Sequence, residues 1–137
     1  LIQVLVVMRK EFDPDKKAKG RQILLDHQTW ELDYLKGIFE QPLKAETTDV
    51  KIGEGSGLFW SFVRPKFAVE YDRDCFLTYA LGDDIVGLSM PLRKDEKLFD
   101  AQNRMVSVLN TIKISKTPFD IRKMADEIKR GATLQGR

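Results

Sequence analysis

The hydrophobic pattern of the chain changes its period at Pro91, and this change limits the folds open to it. Before Pro91, short apolar runs alternate with polar residues and are separated by Gly, Pro and Asp, which is typical of strands joined by turns. After Pro91, apolar residues recur about every 3.6 positions, as on a helix packed along one side. The pattern predicts one α+β domain over residues 1–137, with an antiparallel sheet of about six or seven strands and then two C-terminal helices, at least one packed on the sheet.

Seven apolar segments within residues 1–92 are the candidate strands. They are residues 1–12, 29–34, 47–52, 58–63, 67–71, 75–81 and 85–90. The segment 58–63 is apolar on both alternating faces, which predicts an interior strand covered on both sides. A tight turn at residues 82–84 separates the last two segments, which predicts a hairpin.

Residues 29–34 are open to two interpretations. Their strict alternation places Trp30 and Tyr34 on the same face, which favours a half-buried strand. A helix over residues 22–39 is the alternative, because several leucines fall on one helical stripe. Gly37 and the position of Trp30 count against the helix, so the strand is predicted.

Two helices are predicted after the sheet, at about residues 95–113 and 118–130. The first has a continuous apolar stripe and acidic residues at its start, where the helix dipole favours negative charge. The second has Thr117 as an N-cap followed by proline, and Gly131 ends it.

The glycine-rich segment 53–57 resembles a phosphate-binding loop only superficially. A dinucleotide fingerprint needs its third glycine where Leu58 stands, and it needs a helix afterwards, whereas a strand is predicted here. Residues 82–89 have the glycine spacing of a P-loop but lack its lysine. Ser56 does not form a nucleophile elbow, since that motif needs glycines two residues to either side. No nucleotide cofactor is predicted.

The chain offers few groups for catalysis or metal binding. His27 is the only histidine and Cys75 the only cysteine, so zinc would lack ligands. A Cys75–His27 pair is an alternative, but a cysteine that begins an apolar strand is favoured as a core residue. The aspartates of residues 72–74 and 83–84 are expected at opposite ends of a hairpin, too far apart to share calcium. No catalytic residue, metal site or cofactor is predicted.

The aromatic segment after the glycines is the predicted contact surface. If Phe59 or Trp60 stays exposed, it forms a partner-binding patch together with Ser56. Nucleic acid is not expected as a partner, because only Arg64 and Lys66 flank these aromatic residues. A protein partner is predicted, and the oligomeric state is left open.

The basic and acidic residues are distributed unevenly along the chain, which makes an anionic surface an alternative partner. Residues 1–21 carry six Lys/Arg against three Asp/Glu, and residues 113–137 carry seven against three, while the 91 residues between carry ten against fifteen. If the two ends meet, they form a basic patch for an anionic surface. The longest apolar run, Val4 to Met8, is far short of a membrane span.

The second half of the chain carries a family resemblance. The segment CFLTYAL at residues 75–81 is followed by GDDIVGLS at 82–89 and by FDAQNRMVSVLNTIKI at 99–114. This succession of hairpin and closing helix resembles the end of the PsbP/Mog1-like superfamily, which includes small exported bacterial proteins of the DcrB type. The resemblance implies an αβα-like sandwich without catalytic residues, an accessory role in a larger assembly, and an exported or periplasmic location. It assigns no site residue.

These observations favour a non-enzymatic accessory or protein-binding domain. The alternatives are a small ligand-binding protein or a hydrolase that uses carboxylates in a pocket between sheet and helix, and a weak binder of anionic surfaces.

Overall fold

The computed structural model describes residues 2–65 and 70–111. Eight elements follow one another along this described part of the chain. They are β1 (Gln3–Met8), a 3-10 turn (Arg9–Glu11), α1 (Arg21–Phe39), β2 (Ala45–Ile52), β3 (Gly55–Val63), β4 (Tyr71–Leu81), β5 (Asp84–Arg93) and α2 (Leu98–Thr111). The strands form an antiparallel sheet in the order β1-β5-β4-β3-β2. Helix α1 therefore connects the two edge strands across one face of the sheet.

Two-residue turns join the strands of two hairpins in the sheet. Gly53 and Glu54 connect β2 to β3, and Gly82 and Asp83 connect β4 to β5. Gly53 has φ +58° and Gly82 has φ +59°, a conformation that a hairpin turn requires at its first position and that glycine adopts without strain. The β4–β5 hairpin predicted from the sequence is confirmed. The segment 53–57 is a turn and the start of a strand.

Helices cover the two faces of the sheet. On one face, the side chains of Leu58, Trp60 and Phe62 pack in a core with Leu24 and further residues of α1. On the other face, Phe59 packs in a second core with Met105 and its neighbours on α2. Strand β3 is thus an interior strand buried on both sides, as its sequence predicts, because alternate side chains serve alternate cores.

The predicted α+β class with an antiparallel sheet is confirmed, but the predicted number of strands is wrong. Five strands are present among the described residues instead of six or seven. Residues 29–34 belong to α1, so the helical alternative over residues 22–39 is the right one. Gly37 lies within this helix on its exposed side, and its weak helix propensity, a cost of about 1 kcal/mol relative to alanine, does not break the helix.

The remaining differences lie at element ends. Strand β4 begins at Tyr71, ahead of the predicted start at Cys75, so residues 72–74 are part of the sheet and not a turn. The predicted strand 67–71 falls mostly on residues outside the described part. Helix α2 corresponds to the predicted helix 95–113 as far as Thr111, and the predicted helix 118–130 lies outside the described residues. Neither helix of the described part has the length and apolar character that crossing a membrane requires.

Candidate functional site

The three residues predicted to form a partner-binding patch do not share a surface. Phe59 is 2% exposed and belongs to the core under α2, whereas Trp60 is 0% exposed and belongs to the core under α1. Ser56 is exposed near the β2–β3 turn. The proposed patch depended on exposure of Phe59 or Trp60, and both are core residues.

The sheet separates Cys75 from His27. Cys75 is buried in the core under α2, while His27 lies on α1 against Phe12, on the other face. Burial raises the pKa of the Cys75 thiol to about 12, so the thiol is protonated at neutral pH and is not a nucleophile. Burial lowers the pKa of His27 to about 4, so its imidazole is neutral.

The acidic residues of the β4–β5 hairpin lie at opposite ends, as the sequence predicts. Asp74 pairs with Pro91 in the sheet register, and Asp84 pairs with Leu81 next to the turn. Across residues 2–65 and 70–111, no group of three or more His, Cys, Asp or Glu side chains is close enough to hold a metal ion.

Most basic residues near the N-terminus already have acidic partners. The pairs formed by Lys16 with Asp83 and by Arg21 with Asp49 are exposed, at 2.9 and 2.7 Å. Arg9 pairs with the buried Asp13 at 3.0 Å. This pairing reduces the positive charge that residues 1–21 can offer to an anionic surface.

Asp13 organises the loop between β1 and α1. Its carboxylate accepts hydrogen bonds from the backbone amides of Lys17 at 3.0 Å and Ala18 at 3.1 Å and from Arg9 Nε at 3.1 Å. The Arg9 guanidinium also donates to the Ala18 carbonyl oxygen. Burial alone raises the pKa of Asp13, but these donors together outweigh burial and hold the pKa below its ordinary value of 3.8.

Asp13 should make the stability of the fold sensitive to acid. Because its pKa is lower in the folded chain, ionised Asp13 stabilises the fold above the ordinary pKa, and this contribution is lost as the pH falls through the folded pKa. We expect Asp13→Asn to show a smaller fall in thermal midpoint than the wild type between about pH 6 and about pH 3. The exposed Asp15 provides the control, Asp15→Asn, which should keep the wild-type pH dependence. Equal slopes for all three proteins would contradict this role of Asp13.

An open cleft of about 410 Å³ lies between α1 and the sheet, at the end where β4 begins and β5 ends. We call it the α1 cleft. Its apolar walls come from four strands and the second half of the helix. They include Leu5, Leu35, Phe39, Phe62, Phe76 and Pro91. Its volume falls within the range of small-molecule sites, which are usually apolar with a few polar groups.

The polar groups of the α1 cleft are Gln3, Glu31, Arg64, Asp74 and Ser89. Arg64 and Asp74 form a bidentate pair, with Nε to Oδ2 at 3.0 Å and Nη2 to Oδ1 at 2.7 Å. This hydrogen bonding to Asp74 raises the pKa of Arg64, and the pair neutralises itself.

Glu31 has a different environment from the Arg64–Asp74 pair. Burial raises the pKa of Glu31, whose side chain is 16% exposed. The nearest basic group found among the described residues is His27, whose Nε2 is 3.8 Å from Glu31 Oε2. That distance is too long for a hydrogen bond, and the imidazole is uncharged. Glu31 therefore gives the cleft one negative charge without a cationic partner among the described residues.

A row of large apolar side chains lies on the exposed flank of α1. Trp30 is 36% exposed, Tyr34 64% and Ile38 57%. They follow one another at intervals of four residues, so they line up along the helix. We call this row the outer stripe. Asp26 and Asp33 lie beside it on the solvent side, because they are seven residues, or about two turns, apart on the same helix.

A pocket with carboxylates between sheet and helix was one of the alternatives from the sequence, but the residues of the α1 cleft and of the outer stripe were not identified. The spacing of Trp30, Tyr34 and Ile38 was a usable signal, but the strand interpretation of residues 29–34 concealed it. The cleft had no local signal, since Glu31 and Asp74 come together only through the fold.

Comparison with known proteins adds no identification. The resemblance to the PsbP/Mog1-like superfamily stays a prediction from the sequence pattern. Searches against protein-family models, curated proteins and solved structures gave no significant match for this chain.

Proposed function

We propose that this chain is a non-enzymatic protein-binding domain that contacts its partner through the outer stripe of α1. The observation that carries the proposal is the alignment of Trp30, Tyr34 and Ile38 in solvent. Single exposed apolar residues are common on protein surfaces, but here three lie in one row on one flank of a helix. Trp and Tyr are also the residues that most often dominate binding energy at protein contacts.

The acidic residues beside the outer stripe define the chemistry of the partner. Asp26 and Asp33 border the apolar row, so a complementary surface has an apolar centre and Lys or Arg at its rim. A second copy of this chain is a poor fit, because self-association through the stripe would bring like charges together. We therefore assign the stripe to a different protein with a basic rim.

The protonation and positions of Cys75 and His27, the two candidate catalytic residues, support a binding role. The Cys75 thiol is protonated and buried, and His27 lies across the sheet from it. The PsbP/Mog1-like resemblance implies the same class of function, an accessory module of a larger assembly.

Replacing the two aromatic residues of the outer stripe should remove partner binding and leave the fold intact. We expect Trp30→Ala/Tyr34→Ala to weaken binding at least about tenfold, since the loss of a single hot-spot aromatic residue costs about 2 kcal/mol or more and about 1.4 kcal/mol is tenfold. Partners are recovered by native co-purification from the source cells with the wild-type chain. The affinity of the recovered partner is then measured for each variant.

Phe99 provides the matched control, because it is a 67% exposed aromatic residue on α2, away from the stripe. Phe99→Ala should bind the partner as the wild type does. A partner retained equally by the double variant would overturn the proposal. Self-association that disappears in the double variant would instead assign the stripe to a homo-oligomer.

A further inference from the structure

We infer that the α1 cleft binds a small molecule with an apolar body and one protonated amine, with Glu31 as the counter-ion of the amine. This site is separate from the outer stripe and does not depend on the proposed protein partner. The inference follows from the volume of the cleft, the chemistry of its walls and the distribution of its charges.

The walls of the cleft suit an apolar body. Leu35 and Phe39 come from α1, while Phe62 and Phe76 come from neighbouring strands of the sheet. A molecule placed between them leaves water for an apolar environment on both sides, which favours binding in proportion to the apolar area covered.

The charges of the cleft select a cation. Arg64 is engaged by both oxygens of Asp74 and is therefore a weak attractor for an anion. Glu31, in contrast, has only the neutral His27 as a basic neighbour among the described residues. With Glu31, Asp74 and Arg64 ionised, the cleft has a net charge of −1, because two carboxylates face one guanidinium.

An ammonium group satisfies Glu31 better than any group already described near it. A half-buried carboxylate loses part of its hydration, so it gains from a charge-assisted hydrogen bond that also restores a counter-charge. A neutral ligand of the same shape would fill the apolar space and leave Glu31 without a cation. The site should therefore bind an amine more tightly than a neutral ligand of the same shape, and this difference in affinity can be measured.

Three ligands with the same apolar body test the inference. They are 2-phenylethylamine, 2-phenylethanol and phenylacetate, titrated into the full chain at neutral pH and followed by two-dimensional amide NMR. We expect saturable shifts at Glu31, Arg64 and Phe76, with the amine binding at least about tenfold more tightly than the alcohol and phenylacetate binding most weakly. Absence of saturable amine binding, or equal binding of all three ligands, would overturn the inference.

Two substitutions test whether Glu31 causes the preference for the amine, and a third tests whether the ligands bind in the cleft. Glu31→Gln keeps the shape of the side chain and should abolish the preference for the amine over the alcohol. Asp33→Asn removes the same charge from the same helix outside the cleft, and it should keep that preference. Ser89→Leu, which places a larger side chain into the cleft from β5, should weaken all three ligands. An unchanged preference in Glu31→Gln would refute the role of Glu31.

The two proposals fail independently. Trp30→Ala/Tyr34→Ala should lose the protein partner and keep amine binding, while Glu31→Gln should lose the amine preference and keep the partner. A variant that keeps the amide NMR dispersion of the wild type but loses both functions would show that the stripe and the cleft form one site, which contradicts the separation inferred here.

Discussion

Trp60→Ala is expected to lower the free energy of unfolding by about 3 to 5 kcal/mol. Trp60 is fully buried, and its ring stacks on Phe76 with a centroid distance of 4.1 Å and an interplanar angle of 8°. Truncation leaves a cavity under α1 and removes this stack, and the rigid sheet below cannot collapse to fill it. Urea denaturation followed by far-ultraviolet circular dichroism measures the loss.

Two matched variants test whether the loss of stability in Trp60→Ala comes from the buried position of the ring. Trp60→Phe keeps an aromatic ring on Phe76 and removes an indole N–H that has no hydrogen-bond partner among the described residues, so it should cost much less than Trp60→Ala. Trp30→Ala removes a partly exposed tryptophan and should also cost much less. Equal losses for Trp60→Ala and Trp30→Ala would contradict the burial difference between these residues.

Gly87→Ala should destabilise the sheet by about 3 kcal/mol, the upper part of the range for added atoms in a packed core. Gly87 lies in β5 between β1 and β4, where it pairs with Leu5 on one side and Thr78 on the other. A Cβ at this position would be 2.5 Å from the Leu77 carbonyl oxygen and 3.2 Å from Thr78 Cγ2. The first neighbour is backbone held in the sheet, so it cannot move aside as a side chain would.

Gly37→Ala is the control, and its expected effect has the opposite sign. Gly37 lies on the exposed side of α1 with open space around it, so alanine should raise the free energy of unfolding by about 0.5 to 1 kcal/mol through its better helix propensity. Thermal and urea unfolding of both variants provide the comparison. A neutral Gly87→Ala would show that the strands can separate at this point and would refute the tight approach of β4 and β5.

Local sequence patterns correctly predicted β3, the β4–β5 hairpin and α2. The doubly apolar segment 58–63 predicted an interior strand, and residues 75–90 predicted a hairpin, because strand periodicity and turn residues act over a few neighbours. Apolar residues that recur at helical intervals from Leu98 onward predicted α2, and this periodicity also acts over a few neighbouring residues. These elements carry their signals within their own residues.

The same local reasoning was wrong for α1. Residues 29–34 alternate like a strand, and the helix that contains them buries only Leu24 and His27 completely. A helix with a half-buried apolar face and an exposed aromatic row has a mixed pattern, so no single period dominates over a short window. The packing of α1 on β3 and β4 decides its conformation, and this contact is between segments far apart in the chain.

The sequence by itself determined that strands precede Pro91 and a helix follows it, and it determined the β4–β5 turn. The sequence also contains no recognisable nucleotide-binding or nucleophile motif. The packed fold was needed to distinguish Trp60 in the core from Trp30 on the surface, although both are tryptophans in apolar segments. It was also needed to place Glu31 in one cleft with the Arg64–Asp74 pair. Burial and proximity are properties of the packed layers, because they depend on what covers a side chain and not on its neighbours in sequence.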